Sequence, residues 1–202
     1  MPFLGSSPAR GLVGSADIDD NAITLAKMAH GTANQNISYD GSGVPVDVAL
    51  SAGKVLQVAH AVVSSVATGT TVHVADDTIP QITEGNEAIT KAITPAHASN
   101  RLVIVANIFH SVAVSANNVI TALYQDSTAN ALAGVVAANV GNTFPLATTL
   151  IHEMAAGTTS ETTFKIRCSQ TASGTWTLNG WGGSRILGGV GSSTLTIWEI
   201  SA

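Results

Sequence analysis

Apolar and polar positions divide the chain into two parts. From Lys54 onward they alternate with the period of two that half-buried strands require. The closing run "STLTIWEI" places Leu195, Ile197 and Glu199 on one face and Thr194, Thr196 and Trp198 on the other. "GTWTLNGW" sets Trp176 and Leu178 against Thr177 and Asn179, and Trp181 falls opposite Trp176. One indole is therefore expected in the core and the other at the surface or at a subunit contact. "RLVIVANIFHSVAV" from Arg101 is aliphatic on both faces and predicts a central strand. "KVLQVAHAVVSSVA" predicts another strand, as does "TTVHVAD", with Thr71, His73 and Ala75 opposite Val72 and Val74. "EAITKAIT" stops at Thr94 and Pro95, and "NVITALYQD" turns at "DSTAN". "ALAGVVAANV" suits helix or strand by composition and is read as strand, because it contains Gly134 and its neighbours need pairing partners. "PLATTLIHEMAAG" and "ETTFKIRCSQ" read as a hairpin across "GTTS". Roughly eight to ten strands at about twelve-residue spacing predict an all-β fold, a jelly-roll-like β-sandwich. No exact internal repeat is visible, which argues against a β-helix or propeller.

The part before Lys54 has a different pattern. Met1 to Gly14 is rich in Pro, Gly and Ser, with Phe3, Leu4 and Leu12 as isolated apolar points. It reads as an extended peptide that orders against a partner. Ala16 to His30 predicts one short helix, with Asp19 and Asp20 as N-caps and Gly31 as its stop. Ile18 lies just before these caps, and Ile23, Leu25 and Met28 form a small apolar patch between the caps and Gly31. A helix of about ten residues is marginal in water without a partner surface. Gly31 to Gly53 reads as a linker of weak strand character, with turn signals at Tyr39 to Gly43. The expected division is a 1–52 N-terminal anchor of peptide, helix and linker, followed by a 53–202 jelly-roll-like domain. Phe3, Leu4, Leu12, Ile18, Ile23, Leu25 and Met28 are its candidate anchoring residues.

Composition sharpens this picture. Charged residues make up 10% of the chain and hydrophobic residues 45%, against roughly 25% charged in average soluble domains. A monomer of 20.5 kDa exposes on the order of 9,000 Å², and eight basic plus thirteen acidic side chains cover that thinly. Either Thr, Ser, Asn, Gly and Ala build the surface, or copies of the chain bury much of it; an obligate oligomer is expected. The net charge of −5 and scattered Lys and Arg argue against nucleic-acid binding. No run of 18 apolar residues exists, so no membrane insertion is expected. "MPFLGSSPARGL" lacks the pattern of a secretory leader, so assembly in a cytoplasm is expected. Cys168, the single cysteine, sits in the strand-like "TFKIRCSQ" and reads as a packed side chain.

Signals for chemistry are weak. The histidines His30, His60, His73, His97, His110 and His152 lack the close spacing of a zinc site. "IHEM" begins like a zinc-protease motif, but the second His is missing, and His152 and Glu153 point to opposite faces of a strand. Ser42 in "DGSGVP" lacks the nucleophile-elbow spacing. The "GGSRILGGVG" tract lacks the Lys-Ser/Thr of a phosphate loop and reads as a turn. Asp76, Asp77, Glu84 and Glu87 read as a solvated acidic loop rather than a calcium site. No catalytic, cofactor or metal residues are assigned. Asn179, Trp181 and Arg185 together have the composition of a sugar- or protein-contacting patch; the plainer account is that Trp181 packs between subunits.

The runs "DIDDNAITLAKMAHGT" and "ISYDGSGVPVDVALSAGKVLQV" resemble the N-terminal and linker regions of tailed-bacteriophage tail fibre proteins, and "GGVGSS" followed by "STLTIWEISA" resembles their closing strand. The resemblance implies a virion structural protein, usually a homotrimer and often at the point of host contact. Its partners would be other virion proteins through residues 1–52 and a host-surface glycan or protein. Related modules occur on heads and baseplates, so a capsid decoration or head-fibre protein is the alternative. A carbohydrate-binding module without catalysis is the second alternative. Paired carboxylates in a groove, as glycan hydrolysis needs, are not evident in the body.

Overall fold

The computed structural model describes residues 35–39, 42, 45–49, 53–113, 118–138 and 144–202. The predicted helix at 16–30 and the seven anchoring candidates lie outside the described residues. The chain divides into two units, Met1–Leu50 and Ser51–Ala202. In the first, β1 (Gln35–Tyr39) pairs antiparallel with β2 (Pro45–Ala49). The segment read as a linker therefore carries a pair of antiparallel strands.

The second unit is built from β3 (Val55–Val63), β4 (Ala67–Gly69), β5 (Asn86–Ile93), β6 (Arg101–Val112), β7 (Asn118–Gln125), β8 (Ala133–Ala138), β9 (Leu146–Ala155), β10 (Thr162–Gln170), β11 (Trp176–Leu178), β12 (Gly180–Trp181), β13 (Ser184–Arg185) and β14 (Ser193–Ile200). One sheet runs β3–β14–β6–β9. At its far end β4 and β11 extend the positions of β3 and β14, because β6 pairs β14 through Arg101–Asn107 and β11 through His110–Val112. The other sheet runs β5–β10–β7–β8. Counting the eight principal strands in chain order, the sheets read 1-8-3-6 and 2-7-4-5. That order is the doubly wound Greek key of a jelly roll. The all-β sandwich expected from the alternation is the fold of this chain.

The core lies between the sheets. Leu102, Ile104, Ile108, Leu195 and Ile197 face Leu123, Phe164, Ile166 and Cys168, and all are fully buried. Each such side chain contributes about 1.5–3 kcal/mol on burial. Aliphatic side chains on both faces suit β6 to its position between β14 and β9. Glu199 shares the inward face of β14 with Leu195 and Ile197. Its carboxylate accepts from the Ala96 amide at 2.8 Å, Asn100 Nδ2 at 2.5 Å and Gln57 Nε2 at 2.5 Å, with the His97 amide at 3.4 Å. Burial pushes its pKa up, and these donors outweigh burial, leaving it below the usual value.

Two sequence expectations are corrected. "TTVHVAD" is not a strand: residues 70–85 form a loop, because His73 turns inward onto the β10–β7 surface instead of pairing. β9 and β10 do not form a hairpin. β9 pairs β6 in one sheet, and β10 pairs β5 and β7 in the other, so the connection through Gly157 crosses the sandwich. The Gly157 amide donates to Ala98 O at 2.9 Å, and its φ of 68° suits the left-handed region.

Candidate interaction surfaces

The two sheets treat their outer faces differently. Over β10–β7–β8 the outward residues include Ser169, Arg167, Ile120, Ala122 and Tyr124, and the 70–85 loop roofs them. His73 is fully buried under this roof. Its backbone amide donates to Ser169 Oγ at 2.7 Å, and its Nδ1 lies 2.7 Å from the same oxygen. Tyr124 donates to Gln81 O at 2.9 Å, and Arg167 donates to Glu84 O at 2.7 Å and Gly85 O at 2.8 Å. The loop is thus bonded to its sheet at both ends. Gly85, at φ 64°, sits where a Cβ would come within 2.1 Å of the His73 ring.

Between this loop and the edge strand β8 lies a cleft of about 500 Å³. Exposed Val74, Ile79 and Val136 line it, with Asp76, Asp77 and Thr78 at its mouth. Asp76 accepts from the Thr78 amide at 2.9 Å and its hydroxyl at 2.5 Å, and these bonds hold its pKa below the usual value.

The β3–β14–β6–β9 sheet has no such roof among the described residues. Its outward positions pair across the strands in rows. Val62, Thr194, Asn107 and Thr149 form one row, then His60, Thr196, Val105 and Ile151, then Val58, Trp198, Val103 and Glu153. Leu56, Val58 and Val62 are exposed, and Ile151 is 67% exposed. His60 Nδ1 lies 2.8 Å from Thr196 Oγ1. An ion pair, Arg101 with Glu153 at 3.2 Å, lies at the end of this face.

That face continues into the hairpin end. Phe109, the next outward residue of β6, packs against Gly191, where a Cβ would meet its ring at 3.2 Å. Leu187 and Val190 beside it are exposed. Trp181 is 42% exposed and packs on Phe144 with ring centroids 5.0 Å apart. Trp176 is buried. Of the three residues read as a contact patch, Trp181 and Arg185 are on the exposed β12–β13 hairpin, and Asn179 is not on the surface. Asn179, at φ 51°, is buried: its amide donates to Val63 O and Ser65 O, and its Oδ1 accepts from Ser193 at 2.8 Å. It fixes the bend that turns Trp181 outward. Phe144 takes its place in the patch, and nothing in its sequence spacing points there.

The buried histidines His110 and His73 sit in hydrogen-bonded networks. Trp176 Nε1 donates to His110 Nδ1 at 2.9 Å, which leaves the proton of the neutral ring on Nε2, facing Thr148 Oγ1 at 3.2 Å. Thr148 in turn meets Thr121 Oγ1 of the opposite sheet at 2.7 Å. Burial lowers the His110 pKa to about 3. Burial also lowers His73 to about 4, against a smaller rise from Glu84. The His73–Ser169 pair has the spacing of a base and nucleophile, but both are fully buried and the far ring nitrogen faces Tyr124 OH at 3.5 Å rather than a carboxylate. Both networks join elements; neither opens to a substrate. Burial raises the Cys168 thiol to about 12, as suits a packed side chain.

No protein-family model matches the chain, and no curated protein matches it in sequence. Among solved structures it is similar to the Eiger TNF of S. frugiperda, at 8% identity and a TM-score of 0.41, over 73% of this chain and 94% of that one. It is also similar to the CBM22-1 xylan-binding domain of Paenibacillus barcinonensis Xyn10C, at 12% identity and a TM-score of 0.33, over 76% and 99%. A third is the enzymatically active domain of bacteriophage CBA120 tailspike protein 4, at 11% identity and a TM-score of 0.26, over 61% and 18%. The assignment of the fold rests on the strand order.

Proposed function

We propose that this chain is a non-enzymatic structural component of a tailed-bacteriophage particle: a homotrimeric tail fibre, assembled in the host cytoplasm. Residues 1–52 attach it to other virion proteins, and the jelly roll associates with its copies and is displayed. The observation that carries the reading is the outer face of the β3–β14–β6–β9 sheet, half of whose paired positions are apolar and which nothing among the described residues covers, in a chain with 10% charged residues. Val58, Val62, Trp198, Val103, Val105 and Ile151 interrupt the polar outward positions that a solvated face of an antiparallel sheet would carry throughout. The resemblance of the N-terminal run to tail fibre proteins supplies the phage context. Trp181 on Phe144, with Arg185 across the hairpin, supports contact with a host glycan or protein at the displayed end. Gold-labelled antibody against the jelly roll, applied to intact particles and viewed by electron microscopy, tests the assignment. Label at the tail tip or baseplate is the expected result; label spread over the head would replace the fibre with a capsid decoration or head-fibre protein.

A further inference from the structure

We infer that the outer face of the β3–β14–β6–β9 sheet is the surface through which copies of this chain associate. The inference rests on the oligomeric reading above and assigns the oligomer its interface.

Area is the first argument. Four strands about 4.8 Å apart, with roughly seven residues each at about 3.4 Å, span roughly 19 by 24 Å. That is a flat footprint of roughly 450 Å² before side-chain relief is counted; half of its paired positions are apolar, and Phe109, Leu187 and Val190 extend the apolar part at one end. Monomers seldom leave apolar patches beyond a few hundred Å² uncovered, and one partner of a standard interface contributes about 800 Å².

Charge is the second. In a homotrimer the copies of a surface that faces the threefold axis converge on that axis. The central rows, Val62 to Thr149, His60 to Ile151 and Val58 to Val103, hold no Lys, Arg or Asp, and Glu153 is neutralised by Arg101 at the end of the face. A second copy can approach without like-charge repulsion. The cleft on the other sheet fails this test, because Asp76 and Asp77 at its mouth would meet their own counterparts.

The third is that the opposite sheet covers Ser169, Arg167 and Tyr124 with its own loop, so these outward residues need no partner.

The test uses the full chain. Light scattering after size exclusion is expected to give three times the 20.5 kDa chain mass for the wild type. Val58→Lys with Ile151→Lys, at sites 53% and 67% exposed in the single chain, is expected to lower that mass threefold while far-ultraviolet circular dichroism stays unchanged. Val136→Lys, 58% exposed beside the cleft, is expected to leave the mass at the wild-type value. A wild-type monomer would overturn both the inference and the oligomeric reading. A wild-type oligomer that persists in the double variant would overturn the interface alone. Should the double variant lose its β spectrum, Val62→Lys, at a third exposed site on the same face, repeats the test with a single change.

Discussion

The two outer faces of this sandwich solve the same problem in opposite ways. Each sheet has an apolar inner face buried in one core, and each must do something with its other side. The β5–β10–β7–β8 sheet is covered from within the chain: the 70–85 loop lies over it, with His73 wedged between Ser169 and Tyr124. The β3–β14–β6–β9 sheet presents Val58, Val62, Trp198, Val103, Val105 and Ile151 without a cover among the described residues. A face that is roofed by its own loop stabilises the single chain. A bare apolar face stabilises an assembly. The difference predicts that substitutions on the first will act on folding and those on the second on association.

The largest effect on folding is expected at Gly85. Gly85→Ala combines a left-handed backbone with a Cβ forced into the His73 ring. It should cost about 2–4 kcal/mol, read as a fall in Tm of roughly 5–15 °C by differential scanning fluorimetry. A loss below about 1 kcal/mol would mean that the roof is not held through this contact.

His73→Ala is expected next, at about 2–3 kcal/mol at pH 7, for a buried ring removed from a polar niche. It also changes the acid response. His73 and His110 stay neutral in the fold, with pKa values lowered to about 4 and about 3. In the unfolded chain a histidine protonates near pH 6.5. The unfolded state therefore takes up protons first, and stability is full above that pH and falls on acidification. The limiting slope is about 1.4 kcal/mol per pH unit for each ring, ending near pH 4 for His73 and near pH 3 for His110. Urea titrations from pH 7 to 4.5 should show the His73→Ala slope shallower by about that amount. An unchanged slope would mean that His73 is not held neutral.

The smallest effects belong to the bare face. Val62→Thr and Arg101→Ala should each change the stability of a single chain by about 0.5 kcal/mol or less, since one is an exposed side chain and the other half of an exposed ion pair. Equilibrium denaturation of the dissociated Val58→Lys, Ile151→Lys background measures this without association. A loss as large as that of His73→Ala would make the bare face part of the folding unit and dissolve the contrast.

The sequence carried the parts of this account that depend on local alternation. Leu195, Ile197 and Glu199 fall inward and Thr196 and Trp198 outward, as their spacing dictates, and β6 takes the central position its two aliphatic faces required. Trp176 and Trp181 divide between core and surface as their odd separation predicts. What it did not carry depends on partners distant in the chain. "TTVHVAD" alternates like a strand, but Ser169, nearly a hundred residues later in sequence, draws His73 down and makes the segment a roof. β9 and β10 are adjacent in sequence and belong to opposite sheets, which no local signal records. Asn179 has the polarity of a surface residue, and its left-handed backbone, visible only in the fold, turns it inward.

The most direct measurement is hydroxyl-radical footprinting of the full-length protein, resolved to single residues by mass spectrometry. Val58, Val62 and Ile151 on one sheet and Val74, Ile79 and Val136 on the other are all exposed in the single chain. The account predicts that the first three are protected in the wild type, that Val62 becomes reactive in the dissociated Val58→Lys, Ile151→Lys background, and that the second three react alike in both. Equal reactivity of the two sets in the wild type would contradict it.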